Sequence, residues 1–359
     1  MSSSSHAKVV AALSGGVDSS LAAALLLEQG CDVLGVTLRL TPASDAAVEQ
    51  GCRAAAQLGI PHRVVDCSEA FGRDVIADFV AEYQHGRTPN PCVRCNVHIK
   101  FGVLRAWASD MGATHLATGH YARTGRRGDR WTLRRAVDRA KDQSYALAGL
   151  GQEALAAALF PLSEMTKEAV RARAHTMGLE AAEGRESQDI CFIPHGDYDA
   201  FLVERLGTPE PGPIVSARGE ILGRHRGLLF YTIGQRKGLG IGGGRAYYVV
   251  RLDAEHNVLI VGHEEETNCP GLIARDVRWC SMGPQDAPFA CRVQIRYQHE
   301  AVPAMATPCG NDILVRFDEP ERAVTPGQWA VLYDDDGYVL AAGVMDDELP
   351  KERKQEESK

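Results

Sequence analysis

From Lys8 to Leu206, hydrophobic positions alternate between short continuous runs and longer amphipathic stretches, the pattern of strands exchanged with helices. Val9 to Leu13 reads as a buried strand and Leu21 to Leu27 as the apolar helix after it. Cys31 to Leu40 reads as a second strand, Asp45 to Leu58 as a helix and Arg63 to Cys67 as a third strand. Glu69 to Tyr83 is amphipathic, with Phe71, Val75, Ile76, Phe79 and Val80 on one face. Asn96 to Met111 is a helix, His115 to Tyr121 a strand, Asp129 to Arg135 a hairpin, and Gly151 to Phe160 and Thr166 to Met177 are two further helices. Strands and helices in this alternation predict a parallel sheet covered on both faces, with ligands at the carboxyl ends of its strands.

After Tyr198 to Leu206 the pattern changes. Proline, glycine and period-two alternation dominate, with short strands expected at Tyr247 to Leu252, Val258 to Val261, Cys291 to Arg296, Ile313 to Phe317, Ala330 to Tyr333 and Val339 to Gly343. Boundaries are expected near Phe201 and, more softly, near Pro270. Met1 to Ala7 and the charged stretch 347–359 read as disordered.

Composition narrows the class. A chain of 359 residues is long enough for two or three cores. It holds no apolar run of membrane-spanning length and no leader-like start, so a cytoplasmic protein is expected, with no membrane partner. The net charge of -8 argues against a general nucleic-acid coat. Yet eight basic residues lie between Arg123 and Lys141 against Asp129 and Asp138, which suits either a selective polyanion contact or a solvated hairpin. Ten cysteines in such a chain point to thiols, metal or catalysis rather than a disulfide framework. Cys31, Cys52, Cys67, Cys280 and Cys291 lie in or beside apolar segments and are expected in cores.

Candidate chemistry begins between the first strand and helix, at Ser14-Gly15-Gly16-Val17-Asp18-Ser19-Ser20. Paired glycines clear space for a phosphate, and the backbone N–H groups of the following helix point at it with the dipole behind them. No Gly-Lys-Ser/Thr follows, so this is not a Walker loop. Asp18 at such a site suggests a held cation, Mg2+; the bland reading makes Asp18 or Ser19 a helix cap. The loop resembles that of the N-type ATP pyrophosphatases, which implies splitting of ATP to adenylate a carbonyl oxygen.

A second constellation is Thr88-Pro89-Asn90-Pro91-Cys92-Val93-Arg94-Cys95. The prolines forbid helix there, so Cys92 and Cys95 are expected at a helix start, where the dipole, Arg94 and Lys100 would favour thiolates. Cys191 stands in an apolar segment with a polar approach, Ser187-Gln188-Asp189-Ile190. A zinc site, a redox pair and sulfur transfer all remain open for these three cysteines.

SGGVDSS, TPNPCVRCNVHIKFG, LATGHYAR, KDQSYAL, SQDICFI and FYTIGQRKGLGIGG, in this order, resemble the tRNA-specific 2-thiouridylases over nearly the whole chain to about Met345. The resemblance implies an α/β, adenine-nucleotide-hydrolase-like parallel-sheet domain over 8–200, a small central β-rich domain over 201–270 and a C-terminal β-barrel over 271–346. It implies ATP-dependent 2-thiolation of the wobble uridine, with ATP against Ala12, Leu13, Ser14, Gly15, Gly16, Val17, Asp18, Ser19, Leu38 and Gly119. It assigns Cys95 as nucleophile and Cys191 as persulfide carrier, paired afterwards as a disulfide that a reductant must reset, with an upstream persulfide carrier protein supplying the sulfur. Asn90, Pro91 and Cys92 would meet the target base. His120, Lys141, Asp142, Gln143, Arg296, Tyr297 and Gln328 would meet the tRNA, although Arg296 and Tyr297 also read as an ordinary exposed strand end. Arg236 and Lys237, before the glycine-rich 238–244 loop, suit a further phosphate contact.

Where Cys92 stands, other members carry Asp, so Cys92, Cys95 and Cys191 as ligands of an iron–sulfur cluster is a second scheme. Two other functions stay open at this point: a pyrophosphatase-type ligase acting on a small-molecule carbonyl, and a non-enzymatic tRNA- or zinc-binding protein.

Overall fold

The computed structural model describes residues 7–180, 190–193, 196–242 and 244–348; residues 1–6, 181–189 (with Ser187, Gln188 and Asp189), 194–195, Gly243 and the tail beyond 348 lie outside the described residues. Among the expectations above, those for the polar amino terminus, the approach to Cys191 and the charged tail fall wholly or partly there.

Five parallel strands form the first sheet: β1 (Lys8–Ala12), β2 (Asp32–Arg39), β3 (His62–Asp66), β4 (His115–Ala117) and β7 (Ala158–Leu159), in the order β3-β2-β1-β4-β7. β1 is central, with Val9 opposite Val33 on one side and His115 on the other. Val9 and Val10 are buried because helices cover both faces, as the continuous apolar run required. The chain leaves β1 for β2 on one side and reaches β4 on the other, so the order reverses beside the carboxyl end of β1. α1 (Val17–Glu28) and α2 (Asp45–Leu58) pack on this sheet.

The fifth strand departs from expectation. Gly151 to Phe160 reads as one helix, but the helix stops at Ala157, Ala158 turns extended, and Ala158 and Leu159 pair with Leu116 and Ala117. A two-residue strand inside an alanine-rich run leaves no period to detect. Two long helices also contain wide turns: Ser68–Phe71 runs into a π-helical Gly72–Ile76 before Ala77–Gln84, and Pro91–Arg94 into a π-helical Cys95–Leu104 before Arg105–Asp110. The second helix therefore starts at Pro91 and not at Asn96. Asn90 Oδ1 accepts from the N–H groups of Cys92 and Val93 and caps it.

The basic hairpin forms as β5 (Ala122–Arg127) and β6 (Arg130–Arg135). It is neither a bare polyanion face nor merely solvated, because several arginines fasten it to the C-terminal barrel. Arg130 donates to the carbonyls of Trp279 and Cys280, and Arg134 to that of Asp336. Arg135 lies 3.8 Å over the Tyr333 ring and donates to Gln294.

Beyond the Tyr198–Leu206 helix, β8 (Gly212–Ser216), β9 (Ile221–His225), β10 (Tyr248–Asp253) and β11 (Val258–Gly262) form a four-stranded sheet in the order β10-β11-β8-β9. β12 (Asn268–Trp279), β13 (Phe289–Gln294), β14 (Val302–Cys309), β15 (Asp312–Arg322), β16 (Trp329–Tyr333) and β17 (Val339–Glu348) close a barrel. Pro270 falls inside β12. Arg296 and Tyr297 lie in a turn and not in a strand: β13 ends at Gln294, whose side chain donates to the Arg296 carbonyl, and Gln298 takes a positive φ of 62°.

The barrel shares a core with the first domain. Tyr145, fully buried, donates its hydroxyl to the Trp329 carbonyl, and Ser144 meets the Tyr333 hydroxyl. Cys67, Cys280 and Cys291 are buried as expected; Cys52 is exposed, because α2 turns Gly51, Ala54 and Ala55 inward instead. Among the described residues no helix is long and apolar enough to cross a membrane.

Candidate active site

The glycine loop sits at the switch point of the sheet. Leu13 continues β1 by donating to the Val36 carbonyl, and Thr37 Oγ1 donates back to Leu13 O. Gly15 then takes φ +77°, and a Cβ there would fall 2.2 Å from that of Gln50 on α2, so no other residue fits without displacing the helix. Gly16 is the N-cap of α1 with no side-chain cap, which removes the reading of Asp18 or Ser19 as the capping residue. Ser19 Oγ donates to Gly16 O at 3.0 Å and accepts from Ser14 N at 3.1 Å, folding the loop onto the helix start. The N–H groups of Val17, Asp18 and Ser19, in the first turn, have no carbonyl one turn back to bond, and they define an anion site. Leu38, near the end of β2, and Gly119, just past β4, flank it; a Cβ on Gly119 would stand 2.7 Å from the Asp18 carbonyl carbon and Ser19 nitrogen. Ala12 ends β1 half-buried beneath the loop.

Asp18, in the first turn of α1, is held by two side chains. Lys167 Nζ lies 2.8 and 2.7 Å from its two oxygens, and Tyr121 donates its hydroxyl at 2.7 Å. Both Asp18 oxygens are engaged by Lys167 here, so Asp18 would serve the Mg2+ expected from sequence only once that ammonium has moved, and among the described residues no group of three or more His, Cys, Asp or Glu side chains is arranged for a metal. The same observation holds for the three cysteines, which as they lie do not form a cluster site, and no step below runs through one. Lys167 is the residue that sequence reasoning missed. It lies 149 positions from Asp18, and no local pattern connects them.

The second half of the site surrounds Cys95. Cys95 is buried, Cys92 and Cys191 are exposed residues, and none of the three is bonded in a disulfide. Burial raises the Cys95 thiol to about 12, Lys100 opposes that shift, and Cys191, Cys92 and Cys67 add to it. Cys92 and Cys191 are also raised, chiefly by lost hydration, again against Lys100. The expected thiolates are thus thiols in this state. Cys95 lies past the first helical turn, where the dipole fades, and desolvation outweighs one ammonium.

Lys100 also reaches across the site, donating to His120 Nε2 at 3.4 Å, which leaves Nδ1–H of His120 to donate to Thr118 Oγ1 at 2.6 Å. His120 is buried and desolvation holds its pKa well below the ordinary value, so the ring is neutral. Thr118-Gly119-His120 therefore joins the two halves: Gly119 packs on the nucleotide loop and His120 holds the cation of the thiol pocket.

The residues that resemblance gives to tRNA divide into two sets. Gln328 donates to the Thr88 carbonyl at 2.7 Å, and Gly327 and Trp329 beside it line one cavity with Pro89 and Asn90, just before Pro91 and Cys92 in the chain. Arg296 and Tyr297 are exposed, with Tyr297 6.3 Å from the Tyr145 ring, and Lys141 is half-buried. Asp142 and Gln143, in contrast, have internal duties. Asp142 accepts from Ala136 N, Ser144 N and Ser144 Oγ, and Gln143 Oε1 accepts from Tyr121 N.

A glycine loop at the switch point of a parallel sheet, with no lysine of its own and a carboxylate in its first helical turn, defines a domain of the ATP pyrophosphatase type. Residues 7–195 match the family described as tRNA methyl transferase HUP domain, residues 199–263 the tRNA methyl transferase PRC-barrel domain, and residues 270–345 the aminomethyltransferase beta-barrel domain. The chain is 45% identical over 354 residues to a tRNA-specific 2-thiouridylase MnmA from Heliobacterium modesticaldum, covering 94% of this chain and 92% of the relative. It is 47% identical over 365 residues to that of Geobacter metallireducens, covering 96% and 98%. With that of Chloroflexus aggregans the identity is 48% over 345 residues, covering 91% and 95%. The chain belongs to the tRNA-specific 2-thiouridylase family.

Proposed function

We propose that this chain uses ATP to adenylate O2 of the wobble uridine of tRNA and then replaces that oxygen with sulfur, giving 2-thiouridine, AMP and pyrophosphate. The observation that carries this reading is the Thr118-Gly119-His120 bridge, which sets an anion-binding loop and a pocket of three thiols side by side. A small-molecule ligase needs the loop and not the thiols; a passive RNA- or zinc-binding protein needs neither in this arrangement.

Attack of uridine O2 on the α-phosphorus expels pyrophosphate and turns a poor leaving group into AMP. The N–H groups at the start of α1 receive the negative charge that develops. Cys191 arrives as a persulfide, Cys191–S–SH, charged by a persulfide-carrying protein. Cys95 first loses its thiol proton to solvent, a loss Lys100 favours, and the thiolate so formed attacks the sulfur bonded to Cys191 Cβ; the S–S bond breaks and hydrosulfide leaves as a Cys95–Cys191 disulfide forms. Hydrosulfide adds to C2 of the adenylated base, AMP departs with the electron pair, and loss of a proton leaves the thiocarbonyl. A dithiol reductant returns the two cysteines to thiols. Lys100 is placed to stabilise each sulfur anion, and reduced thiols with tRNA suit a cytoplasmic setting.

Asn90, Pro91 and Cys92 at the helix start, backed by Gln328, would receive an extruded base, with Lys141, Arg296 and Tyr297 on the tRNA around it. Division into a catalytic domain over 8–200, a central domain over 201–270 and a barrel over 271–346 accompanies this assignment. Mass spectrometry of wobble nucleosides in a strain lacking the gene, with and without complementation, tests it: 2-thiouridine should vanish and return. Unchanged 2-thiouridine in the deletion strain would end the proposal.

A further inference from the structure

A loop that binds the β- and γ-phosphates of ATP must meet several negative charges, and phosphate loops usually add a lysine or arginine to their N–H groups. Between Val9 and Leu27 this chain has neither. A cation is nevertheless present. Lys167, only 7% exposed, is salt-bridged to Asp18 in the first turn of α1, beside the N–H groups that face the anion site. We propose that Lys167 is the phosphate-binding cation of this loop, stored on Asp18 in the empty enzyme and transferred to the β- and γ-phosphates when the nucleotide binds.

Three observations fit storage better than a fixed clamp. First, the backbone of Lys167 is anchored independently of its side chain: its N–H donates to Asp138 Oδ2 at 2.9 Å, and Thr166 Oγ1 caps the helix at Ala169 N. The four-carbon stem can therefore redirect the ammonium without moving the helix. Second, Asp18 keeps a partner when the ammonium leaves, because the Tyr121 hydroxyl donates to it at 2.7 Å. Third, Tyr121 lies along the ammonium's surroundings, with its ring centroid 5.8 Å away, so a cation is stabilised there before and during the exchange. A polyphosphate carries more charge than one carboxylate, which gives the transfer its direction.

This inference rests on the ATP-binding reading of the loop and deepens it. The test is calorimetric titration of ATP and of AMP, in magnesium-containing buffer, into wild type, Lys167→Met, Lys167→Arg and the double variant Asp18→Asn/Lys167→Met. Lys167→Met should weaken ATP binding about 10- to 100-fold while AMP, which lacks the β- and γ-phosphates, changes by less than about threefold. Lys167→Arg should recover part of the ATP affinity. The double variant, relieved of an unpaired buried carboxylate, should regain thermal stability and stay weak for ATP. Equal losses for ATP and AMP, or full ATP affinity in the double variant, would make Lys167 a structural clamp and overturn the proposal. Failure of the wild type to bind ATP at all would instead remove the nucleotide reading beneath it.

Discussion

Cys95 combines burial with a single nearby ammonium, and the balance fixes its resting chemistry. With burial pushing the thiol up to about 12, Cys95 is protonated at pH 7. Alkylation of Cys95 by iodoacetamide should therefore rise close to tenfold per pH unit between pH 7 and 10, and Lys100→Met should slow it at every pH. A pH-independent rate would show that the thiol is already ionised. Gly119 makes a second residue-scale case: Gly119→Ala pushes a methyl into the first turn of α1 and should cut pyrophosphate release about tenfold or more while tRNA binding persists. At Cys92, which is exposed, Cys92→Asp should keep single-turnover thiolation within about tenfold of wild type, because the persulfide route makes only Cys95 and Cys191 obligatory. The glycines and cysteines were legible because their chemistry needs those residue types at close spacing. Lys167 and the His120–Lys100 contact were not, because each depends on which segments the fold brings together.

Among the elements, the β5–β6 hairpin shows why composition alone misleads. Its six arginines against one aspartate read as a polyanion face, yet Arg130, Arg134 and Arg135 are occupied by barrel carbonyls, Gln294 and aromatic rings. Arg126 remains exposed beside Trp131. Arg135→Ala should destabilise the protein by about 1–3 kcal/mol, measured by denaturant titration, through loss of the Tyr333 and Gln294 contacts. Arg126→Glu should leave stability unchanged while weakening tRNA binding and flattening its salt dependence. A normal salt slope with Arg126→Glu would place the RNA elsewhere. The alternation of strands and helices could be read from period and turn signals to within a few residues at element ends, and α2 to the residue. The β7 strand and the π-helical turn after Cys95 could not, since two residues carry no period and a wide turn leaves the hydrophobic spacing of a helix almost unchanged.

Across the whole molecule, buried titrating groups set a stability window. His62, His98, His120, His225 and His299 are held below 6.5 by burial, so the unfolded chain binds their protons first and stability falls as pH drops below 6.5 through the folded values. Cys67 and Cys280 are raised from 9.0 to about 11, and Cys95 and Cys291 to about 12. The folded protein keeps those protons longer, so their contribution is intact below 9.0 and is lost as pH climbs toward the folded values. Thermal melting across pH should accordingly show a plateau between these limits and a decline on both sides. A melting temperature still rising above pH 9.0 would contradict the burial of these thiols.

One reaction tests the central claim most directly: purified chain carrying a persulfide on Cys191, mixed with ATP and a tRNA with an unmodified wobble uridine, and quenched for 2-thiouridine and pyrophosphate in a single turnover. The wild type should form both in equal amounts with a Cys95–Cys191 disulfide, whereas Cys95→Ser should release pyrophosphate and form no 2-thiouridine. Thiolation by Cys95→Ser at the wild-type rate, or 2-thiouridine without pyrophosphate, would contradict the account.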